Sequence, residues 1–325
     1  MRALQFTTLG NAEDVLTLAD LPTPTPAAGE VLIRVEARPI NPSDIMFTRG
    51  LYGIRPQLPS GAGFEGAGKI EAVGEGIELP VGTRVSFSSA HAGTWAAYAC
   101  VPARQVIPVP ATMPPEVACQ LFVNPFTAWA ILYECKLQPG EWLLQTAGAS
   151  AFGKLVIQLA KRQGIKTIST VRRAEGIAEL KALGADEVID TSTENLPKRV
   201  KEITGGQYVR RAIDAVGGPA GAEVLKCLSH DGVLYVYGLL SLQDIPLNSG
   251  LLIFKNITIK GFWLTDWLAK ADKDARNAVR KQVIELLAGG ELKAPVEATY
   301  DLADFKQALA HDARPGRLGK IVLVG

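Results

Sequence analysis

From about Asn124 onward the chain alternates short apolar runs with amphipathic stretches that stop at glycine, and few architectures accept that rhythm. Glu141-Trp142-Leu143-Leu144-Gln145-Thr146 reads as a buried strand. Gly153 to Gln163 has helical spacing and ends at Gly164, a C-cap residue. Lys166 to Val171 is the next strand, Ala174 to Leu183 a helix closed by Gly184, and Glu187 to Asp190 a third strand. A helix near Pro197 to Thr204 precedes the strand Arg211 to Val216, and a helix over Ala220 to Leu228 precedes Val233 to Tyr237. Ile257 to Phe262 is the last strand of the series. Strands and helices alternating at this pitch form a parallel sheet with helices on both faces, an α/β doubly wound domain.

The first 120 residues have another texture. Val31 to Val35, Gly68 to Val73 and Arg84 to Phe87 are β-type runs, punctuated by Pro22 to Pro26, Pro56 to Pro59 and Gly61-Ala62-Gly63. This predicts a compact, mainly antiparallel β domain over residues 1–123. The tail, 269–325, holds a helix, a strand near Pro295 to Tyr300, a helix from Leu302 to Ala310 and a final strand Lys320 to Val324 that rejoins the first domain. The doubly wound domain then spans 124–268. A chain of 325 residues fits this division, because single cores seldom grow so large.

Composition excludes several function classes. The 34 basic and 33 acidic side chains leave a net charge of +1, which gives no electrostatic reason for a nucleic acid partner. Cys100, Cys119, Cys135 and Cys227 form no Cys-x-x-Cys pair, and His91, His230 and His311 lie far apart, so neither a zinc ribbon nor a redox motif is indicated. The longest apolar stretch, Leu251 to Leu264, is broken by Lys255 and Lys260 and is too short to span a membrane. The N-terminus lacks a signal core, and scattered cysteines fit a reducing compartment, so the expectation is a cytoplasmic protein without a membrane partner.

Between the first strand and helix of the doubly wound domain lies Ala147-Gly148-Ala149-Ser150-Ala151-Phe152-Gly153. Small residues here let the backbone approach a pyrophosphate, and the helix N-terminus supplies free N–H groups and partial positive charge. The loop departs from a strict G-x-G-x-x-G, so tight helix–strand packing is a second reading. The next strand ends in Arg172-Arg173, where an NAD site carries an acidic residue for the ribose hydroxyl and an NADP site carries Arg for the 2′-phosphate. Paired arginines suit a phosphate; solvated helix-start residues are the alternative. Asp214-Ala215-Val216-Gly217-Gly218, with Val216 and Gly217 as the candidate contacts, and Tyr237-Gly238-Leu239 stand at later strand C-termini, where ligands bind in such sheets.

Asn41-Pro42-Ser43-Asp44, the run Gly61 to Gly68, Val73-Gly74-Glu75-Gly76 with Val81 to Val85, and Gly93-Thr94-Trp95-Ala96 together resemble the medium-chain dehydrogenase/reductase superfamily along nearly the whole chain. The resemblance implies a GroES-like catalytic domain around an inserted Rossmann domain. Zinc members carry Cys, His and Cys or Asp as ligands; here those stretches read Asn41 to Asp44, Phe64 and Asn124, and phenylalanine cannot bind zinc. Gly50-Leu51-Tyr52-Gly53, Gln145-Thr146-Ala147, and Leu251 to Asn256 followed by Gly261-Phe262-Trp263-Leu264 are similar to the 2-enoyl thioester reductases. Zeta-crystallin-like quinone oxidoreductases share the Asn-Pro-x-Asp and Tyr52-like features.

The resemblance implies an NADPH-dependent reductase with no metal. It casts Tyr52 as proton donor and Trp263 as a substrate-lining residue. It also implies that Asn124, Phe262, Trp263, Leu264 and Lys320 line the cofactor and substrate cleft and that Asn41 binds the cofactor. Blander readings stand beside these: Tyr52 as a packed loop aromatic, Asn124 as a turn-former before Pro125, Lys320 as a solvated edge residue, and Trp267 as core. Asp44 is expected to cap a helix beginning near Ile45. The substrate class is an enoyl thioester, with quinone and a non-catalytic NADPH-binding role as alternatives. The edge strand Ile257 to Phe262 predicts a homodimer.

Overall fold

A computed structural model describes all 325 residues, and the chain folds as two compact units. The first holds Met1–Val123 and Ile284–Gly325, the second Asn124–Val283.

In the first unit the chain runs through β1 (Arg2–Phe6), α1 (Ala12–Val15), β2 (Thr17–Asp20), β3 (Glu30–Pro39), α2 (Pro42–Thr48), β4 (Ser60–Gly61), β5 (Glu65–Val73), β6 (Arg84–Ser88), β7 (Tyr98–Pro102), β8 (Val106–Pro108) and α3 (Pro115–Ala118). It ends with β15 (Val296–Asp301), α12 (Phe305–Asp312) and β16 (Lys320–Val324). The main sheet follows the order β15-β16-β3-β5-β6-β8, with β7 on β3, and a small sheet follows β2-β1-β4. All pairings are antiparallel except β15 with β16, and β16 returns to β3 through Val322 opposite Pro39. Alternation places Val31, Ile33 and Val35 of β3 in one cluster with Ile70, Val85 and Phe87. A second cluster gathers Leu4, Phe6, Phe47, Phe64, Trp95, Leu302, Phe305, Ile321 and Leu323, so the final strand is part of this core.

In the second unit come α4 (Asn124–Cys135), β9 (Trp142–Gln145), α5 (Ala151–Arg162), β10 (Lys166–Val171), α6 (Ile177–Leu183), β11 (Glu187–Asp190), α7 (Leu196–Ile203), β12 (Val209–Asp214), α8 (Gly218–Lys226), β13 (Leu228–Val236), α9 (Ser249–Lys255), β14 (Thr258–Gly261) and α10 (Leu264–Lys270). The six strands are all parallel, in the order β11-β10-β9-β12-β13-β14. This is the doubly wound order, with its reversal between β9 and β12, where ligands bind beyond the strand C-termini. α5 forms because Ser150 caps it, its Oγ accepting the Gly153 N–H at 3.0 Å, and because Leu155, Val156, Ile157, Leu159 and Ala160 all bury. Leu155→Ala here costs about 2–5 kcal/mol.

The division between units falls inside α11 (Lys273–Ala288), not at 269. Trp267 explains why α10 stays with the second unit: its ring contacts Trp129 and Tyr133, and its Nε1 donates to Glu134 at 2.9 Å. Trp129 Nε1 in turn donates to Gln282. No helix is long and apolar enough to cross a membrane.

Candidate functional site

The glycine loop of the second unit is built for close approach. A Cβ on Gly153 would lie 2.5 Å from the Gly148 carbonyl oxygen, and one on Gly148 would lie 2.6 Å from Ser169 Cβ. The Gly148 N–H donates to the Thr170 carbonyl, and Gln145 Nε2 donates to Gly153 O and Ser169 Oγ, tying the loop to β10. With Gly153 capped by Ser150, the N–H groups of Ala151 and Phe152 remain at the open end of α5 without a partner in the chain. Tight packing and phosphate binding, the two sequence readings of this loop, are therefore compatible: the packing is what shapes the open N–H groups.

Arg172 and Arg173 follow β10 directly and are exposed, and neither guanidinium makes a hydrogen bond or ion pair within the chain. The next strand ends are ordered by Asp214, a fully buried carboxylate to which sequence reasoning assigned no role of its own. Its Oδ1 accepts Thr146 Oγ at 2.6 Å and the Val216 N–H at 3.0 Å, and its Oδ2 accepts the Gly217 N–H at 2.9 Å. Thr146 Oγ accepts the Ala215 N–H at 2.9 Å. The N–H groups of Val216 and Gly217 are thus spent on Asp214. Tyr237 packs its ring 4.3 Å from Phe152, and its hydroxyl is buried without a partner. Burial, reinforced by the Asp214 charge, pushes the phenol well above its ordinary range. Gly238 abuts the Ala215 carbonyl, and Leu239 is exposed. Phe262 donates its N–H to Val236 and is half-buried; Trp263 caps α10 with 37% exposure, and Leu264 opens that helix. Asn124 opens α4, half-buried, ahead of Pro125.

The other candidates lie in the first unit, around a buried charged network. Asp44, Glu65, Asn41 and Lys320 are all within 5% exposure, far below what isolated charges tolerate. Asp44 does not cap a helix starting at Ile45. α2 starts at Pro42, and Asp44 is its third residue, its Oδ2 accepting the Asn41 N–H at 2.7 Å while Oδ1 accepts the Phe64 N–H at 3.1 Å. Asn41 Nδ2 donates to Glu65 Oε1 at 2.8 Å, and Glu65 Oε2 accepts the N–H groups of Phe122 and Val123. Lys320 Nζ donates to Ile40 O at 2.6 Å and to Asn41 Oδ1 at 2.5 Å. Lys320 is thus no solvated edge residue, and the polar atoms of Asn41 are engaged inside this network. Burial raises the Glu65 carboxyl to about 7, against its bonds to Val123 and Asn41, which lower it. Burial likewise raises Asp44 and lowers Lys320. Tyr52, half-buried, sits on the loop after α2 with its ring 5.1 Å from Phe64.

Sequence reasoning gave Glu65 no role of its own and treated Asp44 as an ordinary cap. Asp214 carried a signal, a lone carboxylate between Ile213 and Ala215 in an apolar strand.

The family model described as alcohol dehydrogenase GroES-like domain matches residues 27–111, and that described as zinc-binding dehydrogenase matches residues 151–289. The mitochondrial enoyl-acyl-carrier-protein reductase of Rattus norvegicus is 34% identical over 321 residues, covering 97% of this chain and 86% of the relative. The chain belongs to the medium-chain dehydrogenase/reductase superfamily. Among solved structures of this superfamily, the quinone oxidoreductase of Escherichia coli complexed with NADPH superposes with a TM-score of 0.92 at 28% identity, covering 100% of both chains. That of Pseudomonas syringae gives 0.91 at 30% identity, covering 100% of this chain and 99% of that one. Although one matching superfamily model is described by zinc, no group of three or more His, Cys, Asp or Glu side chains is disposed to hold a metal here.

Proposed function

We propose that the chain is an NADPH-dependent reductase that reduces the activated C=C bond of a 2-enoyl thioester, carried by CoA or by acyl carrier protein, without zinc. One observation carries the cofactor reading: a phosphate loop at the head of α5, followed by a strand that ends in two exposed guanidiniums engaged by nothing else in the chain. Gly148 to Gly153 would receive the pyrophosphate and Arg172 and Arg173 the 2′-phosphate. The buried, unpartnered Tyr237 hydroxyl marks a polar wall beside the loop. Phe64, where the resemblance puts a zinc ligand in zinc members, cannot bind the metal, which favours chemistry without zinc.

When bound, NADPH supplies a hydride from its nicotinamide, destined for the β-carbon of the substrate. The chain's own contribution is to stabilise charge developing on the thioester oxygen with backbone N–H groups and to deliver a proton from Tyr52 to the α-carbon. Trp263, exposed at the head of α10, lines the substrate. Curated relatives named as enoyl reductases support the thioester as substrate. Quinone reduction is the second reading, supported by solved structures named as quinone oxidoreductases.

NADPH oxidation measured with crotonyl-CoA, a longer enoyl-CoA and a naphthoquinone separates these readings. Turnover only with the naphthoquinone would replace the first by the second, and no turnover with any of them would favour a non-catalytic NADPH-binding protein. We also propose a homodimer formed through β14, the outermost strand of the parallel sheet, for which a monomer mass in light scattering would be decisive against. Four free thiols fit a cytoplasmic protein, which fractionation of cells making it would test.

A further inference from the structure

We infer that Asp44 is a positioning residue for Tyr52, a role that rests on the reading of Tyr52 as the proton donor. The loop that carries the tyrosine is built on α2. After that helix the chain turns back on itself, the Gly50 N–H donating to Phe47 O and the Leu51 N–H to Met46 O, so Tyr52 takes its starting point from α2. Its ring then meets Phe64, with centroids 5.1 Å apart and planes tilted by 43°. Phe64 also meets Phe47 of α2 edge-on at 5.0 Å. Two segments, α2 and the strand entry at Phe64, therefore help place the tyrosine, and a change in their spacing would move it.

One side chain bonds to backbone groups of both segments. Asp44 reaches the head of α2 through the Asn41 N–H at 2.7 Å and reaches Phe64 through its N–H at 3.1 Å, one carboxylate oxygen for each. An asparagine has a single acceptor oxygen and would turn its NH2 toward one of these two donors. A carboxylate is needed to serve both, although it is fully buried, where an ionised group is disfavoured. A simple helix cap faces solvent at no such cost, and serine or asparagine does that work as well. Lys320, Asn41 and Glu65 surround the pair and keep its setting polar.

The test is a double-mutant cycle on the full chain with NADPH and an enoyl-CoA. Asp44→Asn is expected to lower kcat about ten-fold, the cost of leaving one buried backbone donor without its acceptor, with NADPH affinity unchanged. The double variant Asp44→Asn, Tyr52→Phe is expected to be no slower than Tyr52→Phe alone, because Asp44 acts only through the tyrosine. Hydrogen exchange over residues 49–54 should quicken in Asp44→Asn. Losses that multiply in the double variant, or wild-type kcat and exchange in Asp44→Asn, would overturn the inference. If Tyr52→Phe keeps full kcat, the proton-donor reading falls, while the exchange measurement still decides whether Asp44 holds the loop. Should Asp44→Asn fail to fold, Phe64→Leu keeps the backbone bond and removes only the ring. It is then expected to slow turnover without adding to Tyr52→Phe, and an undiminished kcat would count against the inference.

Discussion

Thr146 and Asp214 join the C-terminal ends of the two central parallel strands: Thr146 Oγ, just past β9, donates to Asp214 Oδ1 at the end of β12 over 2.6 Å, with both side chains buried. The reversal of strand order falls between these strands, so the bond clamps the place where the sheet opens toward a ligand. Thr146→Val keeps the shape, removes the donor to Asp214 and strips the Ala215 N–H of its acceptor. It should destabilise the chain by about 1–3 kcal/mol in urea denaturation. NADPH affinity should fall with it, because the Val216–Gly217 turn hangs on the same carboxylate. Unchanged stability would mean that water or a rearranged Asp214 replaces both bonds.

Arg172 and Arg173 give a sharper test of the cofactor. Each free guanidinium is available to a phosphate, and a charge-assisted bond contributes about 1.5–3 kcal/mol. Replacing both by Ala should lower kcat/KM for NADPH about 100-fold or more while leaving NADH nearly untouched. Equal losses with the two cofactors would show that the arginines do not read the 2′-phosphate.

What the sequence made legible follows from range. The parallel unit was readable because each strand and helix announces itself within a dozen residues, from Trp142–Gln145 to Thr258–Gly261. The positions of the glycine loop at the head of α5 and of Arg172-Arg173 after β10 are readable for the same reason. The charged network was not, because Asp44, Glu65 and Lys320 are brought together by the return of β16 onto β3 after most of the chain has intervened. Local rules assign Asp44 to a cap and Lys320 to an edge, since neither rule contains the partner. The return point was misplaced likewise: 269–283 stays with the parallel unit because Trp129 reaches Gln282, a contact that no local period encodes.

The same network predicts an unusual dependence of stability on pH. Burial raises Glu65 to about 7 and raises Asp44 as well, so the folded chain binds more protons than the unfolded one between the ordinary carboxylate range and those values. Stability from these groups is fully present below about pH 4 and is lost as pH rises through their raised values, about 7 for Glu65 and about 8 for Asp44. Glu65 alone accounts for at most about 3 kcal/mol of that fall. Lys320, lowered by burial, acts with the opposite sign between its lowered value and its ordinary one near 10.5. Denaturation midpoints measured from pH 5 to 8 should therefore decline more steeply in the wild type than in Glu65→Gln, whatever the absolute loss in that variant. Parallel slopes would mean that Glu65 titrates like an exposed carboxylate.

Glu297 anchors the turn that delivers Lys320 to the network. Its Oε2 accepts the N–H groups of Leu318 and Gly319, and its Oε1 pairs with His311 Nε2 at 3.0 Å. His311 Nδ1 meets the Tyr300 hydroxyl at 2.9 Å, so both ring nitrogens tie α12 to β15. Glu297→Ala leaves two backbone donors and one imidazole without their acceptor, while Arg317 keeps its separate pairing with Asp312. The turn over 313–319 should then open locally, at a free energy below that of global unfolding. Trypsin cutting after Arg317 should speed up by about ten-fold, matching the loss of about 1–2 kcal/mol of local protection. Glu297→Gln, which keeps one acceptor oxygen, should fall between the two. Equal cleavage rates in all three proteins would show that the turn is held by Asp312 and Arg317 and that Glu297 is dispensable for placing Lys320.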